Sequence, residues 1–435
     1  MTGYDRRILS RPSSGAVQVD PNDLFFSRTD TRGVIMACNH TFKRISGYEY
    51  HDLIGAPHRL VRHPDMPKGA FHLIWDRLKQ GKLTGAFVKN LAKDGLHYWV
   101  FALMSPVDGG YLSVRLNASS EMLPMIQELY ATLREAELSG GATPEESAQA
   151  LRAALAAHGY PTYGAFMAQG LRREMDAREA VLSSEASDTG AGFDAVLKKV
   201  DEIRTETAAL AQTFAKVQAI PQNMRILASQ LETLGGPISA ISSNYGGLSR
   251  TFMNWITGFH DDTSQNSERN RTIIYKSLFL MNAARLQEEM QSQFMQEQRD
   301  PCIADATHEI RILKEQTDKS QDLANQGLRQ LANTAGQFTG AVGHMKRQVM
   351  GLSSTRMMCK IEGARLGCQA DGLVEIIKQL DRFQTEVEKR LNRIDGLNRD
   401  TKRTVDMLVH GGAQTKYRSY RLHPDSAARM LSSGM

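Results

Sequence analysis

Apolar positions change their spacing along this chain. Between about residues 21 and 118 they form short runs separated by glycine and proline. Five of these runs read as strands, at Leu24–Arg28, Val34–Cys38, Gly85–Leu91, Tyr98–Pro106 and Tyr111–Leu116. Asp108-Gly109-Gly110 predicts a hairpin between the last two. Short helices fall between the second and third strands. One of them runs from about Pro67 to Gln80, with Phe71, Ile74, Trp75 and Leu78 on one face. Two strands, then helices, then three antiparallel strands predict an α+β domain over residues 21–118.

From about residue 119 the strand signals vanish. Ser119 and Ser120 can cap a helix ending near Leu138, and Thr143-Pro144-Glu145-Glu146 combines a cap, a first-turn proline and acidic side chains. A third helix is predicted over Tyr163–Leu182, and SSEASDTGAG at 183–192 reads as a linker. Beyond it the apolar spacing alternates by three and four. Phe193, Val196, Val200, Ile203, Thr207, Leu210 and Phe214 form one such seam, and Ile238, Ile241, Tyr245, Leu248, Phe252 and Phe259 another. Leu328, Leu331, Ala335, Phe338, Val342, Met345, Val349 and Leu352 repeat the pattern, and a last segment carries Val387, Leu391, Ile394, Val405 and Leu408. Long helices packed side by side are predicted. A helix of about 60 residues spans about 90 Å.

The 435 residues allow two or three domains. Charged residues are 23% and the net charge is +5, with both signs interspersed. That balance argues against a nucleic-acid surface, since no basic stripe with interleaved aromatics occurs. Cys38, Cys302, Cys359 and Cys368 form no Cys-x-x-Cys pair, so neither a zinc site nor a disulfide framework is predicted, and a reducing cytoplasm fits. The opening MTGYDRRILSRPSSG reads as a flexible leader over residues 1–20 without an apolar signal core. No window reaches the roughly 18 apolar residues of a membrane span, so a soluble cytoplasmic protein is expected. No nucleophile with an arranged base, phosphate-cradling loop or metal pair stands out, so enzymatic chemistry is not expected.

One loop carries an unusual density of chemistry. VRHPDMP at 61–67 places two prolines three apart, which excludes a regular helix or central strand and predicts a shaped loop with held polar side chains. This loop belongs to a longer resemblance. CNHTFKRISGY at 38–48, LIGAPHRLVRHPDMPKGAF at 53–71, VKN at 88–90 and DGLHYWV at 94–100 resemble the PAS domain of aerotaxis receptors. The resemblance implies a five-stranded antiparallel sheet with helices on one side. It also implies bound FAD that senses oxygen or redox state.

Carried over to this sequence, it implies a cofactor site of Asn39, His58, Arg62, His63, Asp65, Phe71, Trp75 and Asn90. These residue types suit a flavin dinucleotide. Arg62 offers a forked donor to the pyrophosphate, and His63 and Asp65 are polar partners for ribose and adenine. The amides of Asn39 and Asn90 match the alternating donors and acceptors of the isoalloxazine edge, while Phe71 and Trp75 supply an apolar wall. Structural roles compete with these: Asn39 as the cap of a helix starting at His40, Asp65 as the cap of the helix after Pro67, and Trp75 as core. Haem b is the alternative cofactor, given the histidines of this domain, and a cofactor-free PAS scaffold is the alternative class. Cys38 lies in a predicted strand and not in the adduct motif of flavin light sensors.

A second resemblance lies in the helical half. Ile361-Glu362-Gly363-Ala364-Arg365-Leu366-Gly367 resembles the I-E-A-A-R-A-G run at the hairpin tip of bacterial chemoreceptors, and PQNMRILASQLETLGGP at 221–237 resembles it more faintly. It implies helical hairpins at 193–295 and 303–412, reversing near Gly235-Gly236-Pro237 and Asp371-Gly372, which together form a single-chain four-helix bundle. A connector at 119–182 and a tail at 413–435 complete the plan. The tip implies a docking face at Glu232, Glu362 and Arg365 for a chemotaxis histidine kinase and its coupling protein. Dimerisation through the PAS domain or the bundle stays open.

Overall fold

The computed structural model describes residues 15–182, 189–216, 219–231, 236–297, 305–366 and 371–414. Most of the leader, most of the 183–192 linker, Glu232 and the tail beyond residue 414 lie outside the described residues. The strands are β1 (Leu24–Asp30), β2 (Ile35–Cys38), β3 (Thr84–Leu91), β4 (His97–Val107) and β5 (Gly110–Asn117), in the antiparallel order β2-β1-β5-β4-β3. Between β2 and β3 lie α1 (His40–Ser46), α2 (Tyr50–Leu53), a 3-10 turn at His58–Val61 and α3 (Lys68–Lys79). Gly109 takes φ 73° in the β4–β5 turn, and a Cβ on Gly110 would meet Thr29 O at 1.9 Å, so glycine is required where β5 begins beside β1.

Three helices follow, α4 (Met122–Ser139), α5 (Pro144–Ala157) and α6 (Tyr163–Leu182). Thr143 and Glu146 form the capping box that opens α5. The sequence suggests a separate connector here, yet these helices belong to the compact unit of the sheet. Tyr130 and Tyr163 donate hydroxyl hydrogen bonds to Phe87 O and Gly85 O of β3 at 3.2 and 3.1 Å. Glu174 accepts from the Ser119 and Ser120 amides and the Ser120 hydroxyl at 2.6–3.0 Å. Gly69 of α3 lets α5 approach, because a Cβ there would meet Ser147 Oγ at 2.4 Å.

The remaining helices are α7 (Thr189–Ala215), α8 (Ile220–Leu231), α9 (Pro237–Glu297), α10 (Ala306–Leu366) and α11 (Asp371–Gln414). Two compact units result, and they do not follow the predicted hairpin boundaries. The sheet unit takes in Tyr275–Gln326, while Ala191–Ile274 and Gly327 onward form the second. The reason is visible in residues 278–294. Leu278, Phe279, Leu280, Ala283, Ala284, Leu286, Met290 and Phe294 are buried together with Gln287, an apolar face broader than the stripe a hairpin seam would need.

This segment covers the sheet face opposite α3. Phe294 meets Phe26 edge to face with centroids 4.6 Å apart, and Gln287 Nε2 donates to Ser105 Oγ at 3.1 Å. Arg28 of β1 forms a bidentate pair with Glu309 at 2.7–2.9 Å, Glu309 being 2% exposed. Arg178–Glu289 and Arg285–Glu179 add further ion pairs.

In the second unit the predicted seams meet in one core. Leu210, Phe214, Met224, Tyr245, Phe252, Val342, Val349, Phe383 and Leu391 are buried together from α7 to α11, giving an all-helical bundle. Phe214 stacks on Phe252 at 4.2 Å and meets Phe383 edge to face. Among the described residues no helix is long and apolar enough to cross a membrane.

Removing one member of a buried ion pair strands the other, at about 3 kcal/mol. Arg28→Ala is therefore expected to lower stability by about that amount in urea unfolding of the full chain. Arg28→Met/Glu309→Leu should recover most of the loss.

Candidate functional site

Between the sheet and α3 lies a cavity of about 530 Å³, a size suited to a small-molecule cofactor. Strand alternation decides which sheet residues reach it: Ser27 and Thr29 on β1, Asn90 on β3, Ala102 and Met104 on β4, and Tyr111, Ser113 and Arg115 on β5. From α3, Phe71, Ile74, Trp75 and Leu78 form the opposing wall, the stripe that the helical spacing predicts. Trp75 is 36% exposed and packs edge to face on Tyr111, so it is a rim residue more than a core one. Arg62, Phe71 and Trp75 also border a surface depression with Lys68, His72 and Lys79, where the cavity meets solvent.

Of the eight residues expected at the cofactor, His58, Arg62, Phe71, Trp75 and Asn90 line this cavity. Asn39, His63 and Asp65 do not. Asn39 is completely buried and engaged elsewhere. Its Oδ1 accepts from the Phe26 and Phe42 amides at 2.9 and 3.1 Å, and its Nδ2 donates to Leu24 O at 2.8 Å, so it caps α1 and ties it to β1. Asp65 does not cap α3. Its carboxylate pairs with Lys89 at 2.6 Å, and its amide donates to His63 Nδ1 at 3.1 Å. The N-terminus of α3 is instead capped from α4, Glu137 accepting from the Lys68 and Gly69 amides at 2.9 and 3.0 Å.

The 61–67 loop is held mainly from outside the cavity. Arg62 bridges to Asn90 on the edge strand β3, Arg134 Nε donates to Pro64 O at 2.9 Å, and the Lys89 amide donates to the buried Met66 sulfur at 3.2 Å. Of the loop's polar side chains, Arg62 alone joins the cavity wall, stacked over Phe71 with its guanidinium carbon 3.8 Å from the ring centre. Burial, and secondarily Arg134, pulls the Arg62 guanidinium below its usual range.

Among the polar residues of the wall not anticipated from sequence, three matter most: Arg115, Ser27 and Ser113. Arg115 Nη2 donates to Ser27 Oγ and to His58 Nε2, both at 2.6 Å. Enclosure, aided by Arg115, pulls the His58 imidazole down to about 3, so the ring is neutral and its Nε2 is an acceptor. Ser113 is the third. Asn90 Nδ2, Ser113 Oγ and Arg115 Nη1 are buried without hydrogen-bond partners, although such groups are nearly always satisfied in folded proteins. Their signal in the sequence is the alternation Tyr111, Ser113, Arg115 against Leu112, Val114, Leu116.

The wall therefore offers apolar faces, unmatched polar groups on β3 and β5, and cations at the rim. That donor set fits the edge and phosphates of a flavin nucleotide. Cys38 is 3% exposed and burial pushes its thiol up to about 12, so it holds no thiolate at neutral pH.

The sheet and its inner helices define the class, a PAS domain: residues 35–114 match the family model described as PAS fold. More narrowly, its sequence is similar to that of an aerotaxis receptor. The aerotaxis receptor of Escherichia coli (strain K12) is 42% identical over 118 residues, covering 26% of this chain and 23% of the receptor. The match thus spans less than a quarter of that receptor's length. Similar solved structures include the light-state LOV domain of the blue-light photoreceptor Aureochrome1, with TM-score 0.22 and 19% identity over 24% of this chain and 88% of that chain. The LOV domain of the blue-light activated histidine kinase of Erythrobacter litoralis EL346 has TM-score 0.20 and 17% identity over 22% and 93%.

His58 gives a signed pH effect. Its folded-state value of about 3 lies below the ordinary 6.5, so its contribution is fully present above about pH 6.5 and is lost as pH falls toward 3. His58→Asn, which keeps an acceptor for Arg115, is expected to flatten the fall of Tm with acidification over that window relative to wild type.

Proposed function

We propose that this chain is a cytoplasmic signal-transduction protein whose PAS cavity binds FAD, senses oxygen or redox state through it, and passes the signal to the helices. The observation that carries this reading is the set of buried, unpartnered atoms on Asn90, Ser113 and Arg115 in the wall of an otherwise apolar cavity. Arg62 would meet the pyrophosphate, Phe71 and Trp75 the rings, and Asn90 the polar edge. His63 and Asp65 stand outside the wall and would serve by shaping the loop. Bound flavin supplies the redox-active ring; this chain's residues orient it and respond to its charge and hydrogen bonding.

A relay out of the cavity is available through single peptide steps. Ser27 faces the cavity and Arg28 pairs with Glu309 on the opposite sheet face; Met104 faces the cavity and Ser105 bonds Gln287. Reshaping one or two hydrogen bonds, about 1–3 kcal/mol, biases a two-state element substantially.

Output would use the tip of the bundle. Met350, Met357 and Ile361 are 54–62% exposed at helical spacing, with Arg365 one turn further and paired to Glu362 at 3.4 Å. Such a face suits a protein partner, and the chemotaxis kinase and its coupling protein are the partners proposed.

Haem is less well served. His58 is the histidine of the cavity wall, and its Nε2 lone pair accepts from Arg115 instead of standing free for iron.

The purified 435-residue chain is expected to be yellow and to release FAD on denaturation. Arg62→Ala and Asn90→Ala should each weaken flavin binding about tenfold or more while keeping the wild-type Tm within a few degrees. A preparation that stays colourless after reconstitution with FAD would support the cofactor-free scaffold instead, and a Soret band would support haem.

A further inference from the structure

The cavity wall contains a cation with no acid beside it. Arg115 is 4% exposed. Its guanidinium carbon lies 5.3 Å from the centre of the Phe42 ring, and Nη2 serves Ser27 and His58 while Nη1 has no partner. The groups around it come from four elements: the Ser27 hydroxyl on β1, the Cys38 thiol on β2, the His58 imidazole of the 3-10 turn and the Tyr98 phenol on β4. The imidazole is held neutral, the thiol is held protonated, and no carboxylate pairs with Arg115 among the described residues. Burial pulls Arg115 down only to about 10, so it keeps its charge at neutral pH.

Two part-buried arginines of this unit have acids, while Arg77 donates to the Leu83 carbonyl. Arg28 has Glu309 and Arg178 has Glu289. An isolated buried guanidinium is costly, and the neutral acceptors around it are a weak substitute for an anion. A purely structural brace between Ser27 and His58 would need no charge. What sets Arg115 apart is that it lines a cavity open to a ligand.

We propose that the Arg115 region of the cavity is an anion site, in which Arg115 provides the countercharge to a ligand that carries, or acquires, one negative charge beside Ser27 and His58. Applied to flavin, which rests on the reading above, Arg115 would supply the countercharge if a bound ring took two electrons from an external reductant together with one proton, so that the reduced ring carried one negative charge.

Two measurements on the 435-residue chain test this. The first needs no flavin and uses benzoate and benzamide, which share a shape and differ in charge. Benzoate should raise the Tm of the ligand-free wild type and bind about tenfold or more tighter than benzamide. Arg115→Lys should keep that preference and Arg115→Met should abolish it. Equal binding of the two probes by wild type overturns the anion site, and that comparison stands even if Arg115→Met does not fold.

The second is a dithionite titration of the FAD-loaded chain in weakly buffered, mildly acidic solution, with flavin proton uptake read from an indicator dye after subtracting the protons that dithionite releases as it is oxidised to bisulfite. One proton per two electrons is expected for wild type and two for Arg115→Met; two for wild type overturns the proposal. If FAD fails to bind while the preference for benzoate persists, the flavin reading falls and the anion site remains.

Discussion

Neighbouring side chains on a strand point to opposite faces, and in this sheet both faces are covered by protein. Everything else in the sensor unit follows from that constraint. On β1 the residue beside the cavity, Ser27, is one peptide from Arg28, whose guanidinium is locked to Glu309 on the far side. On β4 the same relation holds between Met104 and Ser105. A one-residue slip would thrust Arg28 into the cavity and leave Glu309 buried without a cation, so the two faces fix each other's register. The pairing of β1 with β2 shifts between Arg28 and Thr29, an irregularity of the kind that re-aims side chains beside a site.

The proline-rich loop obeys the same economy. Its prolines prevent it from joining the sheet as a strand, yet it covers the edge of β3 through the Arg62–Asn90 bridge and is pinned by Lys89 and Arg134. Held in this way, it releases one side chain, Arg62, to the cavity rim. The carboxylate of Glu137, reaching from α4 to cap α3, ties the wall of the cavity to the helices after the sheet. The wall is thus braced from elements that a reading of the sheet domain alone would treat as connector.

Much of this was legible in the sequence, for identifiable reasons. The strands and α3 announced themselves because turns at glycine and proline interrupt clean periodicities, and the bundle seams because burial on one stripe leaves a three-and-four rhythm. Arg62, Phe71, Trp75 and Asn90 reach the cavity as their residue types suggest. Asn39, His63 and Asp65 show the limit of that argument: a side chain chemically apt for a ligand is equally apt for backbone caps and lysines, and only the fold decides which it meets. Arg115 and Ser113 were overlooked for the converse reason. A row of Tyr, Ser and Arg alternating with Leu, Val and Leu reads as a strand with one face in water, whereas here the polar row lines the cavity and the apolar row is completely buried. The broad apolar face of residues 278–294 carried the missing information, because a stripe wider than a two-helix seam needs more than one neighbour to cover it.

The buried charges suggest how occupancy of the cavity would be felt beyond it. Arg115 divides its Nη2 protons between Ser27 and His58, so an anion drawing on that guanidinium competes directly with the anchor of β1. The adjacent residue holds an ion pair whose carboxylate is buried and whose guanidinium is partly so, and such pairs tolerate little distortion, because geometry is what offsets their desolvation. A packed interface of this kind responds by changing state and not by bending gradually. Coupling of about 1–3 kcal/mol between the Ser27 and Arg28 sides of one peptide corresponds to a shift of about 5- to 150-fold in such an equilibrium. That range is ample for a sensor and is set by two side chains on opposite faces of one strand.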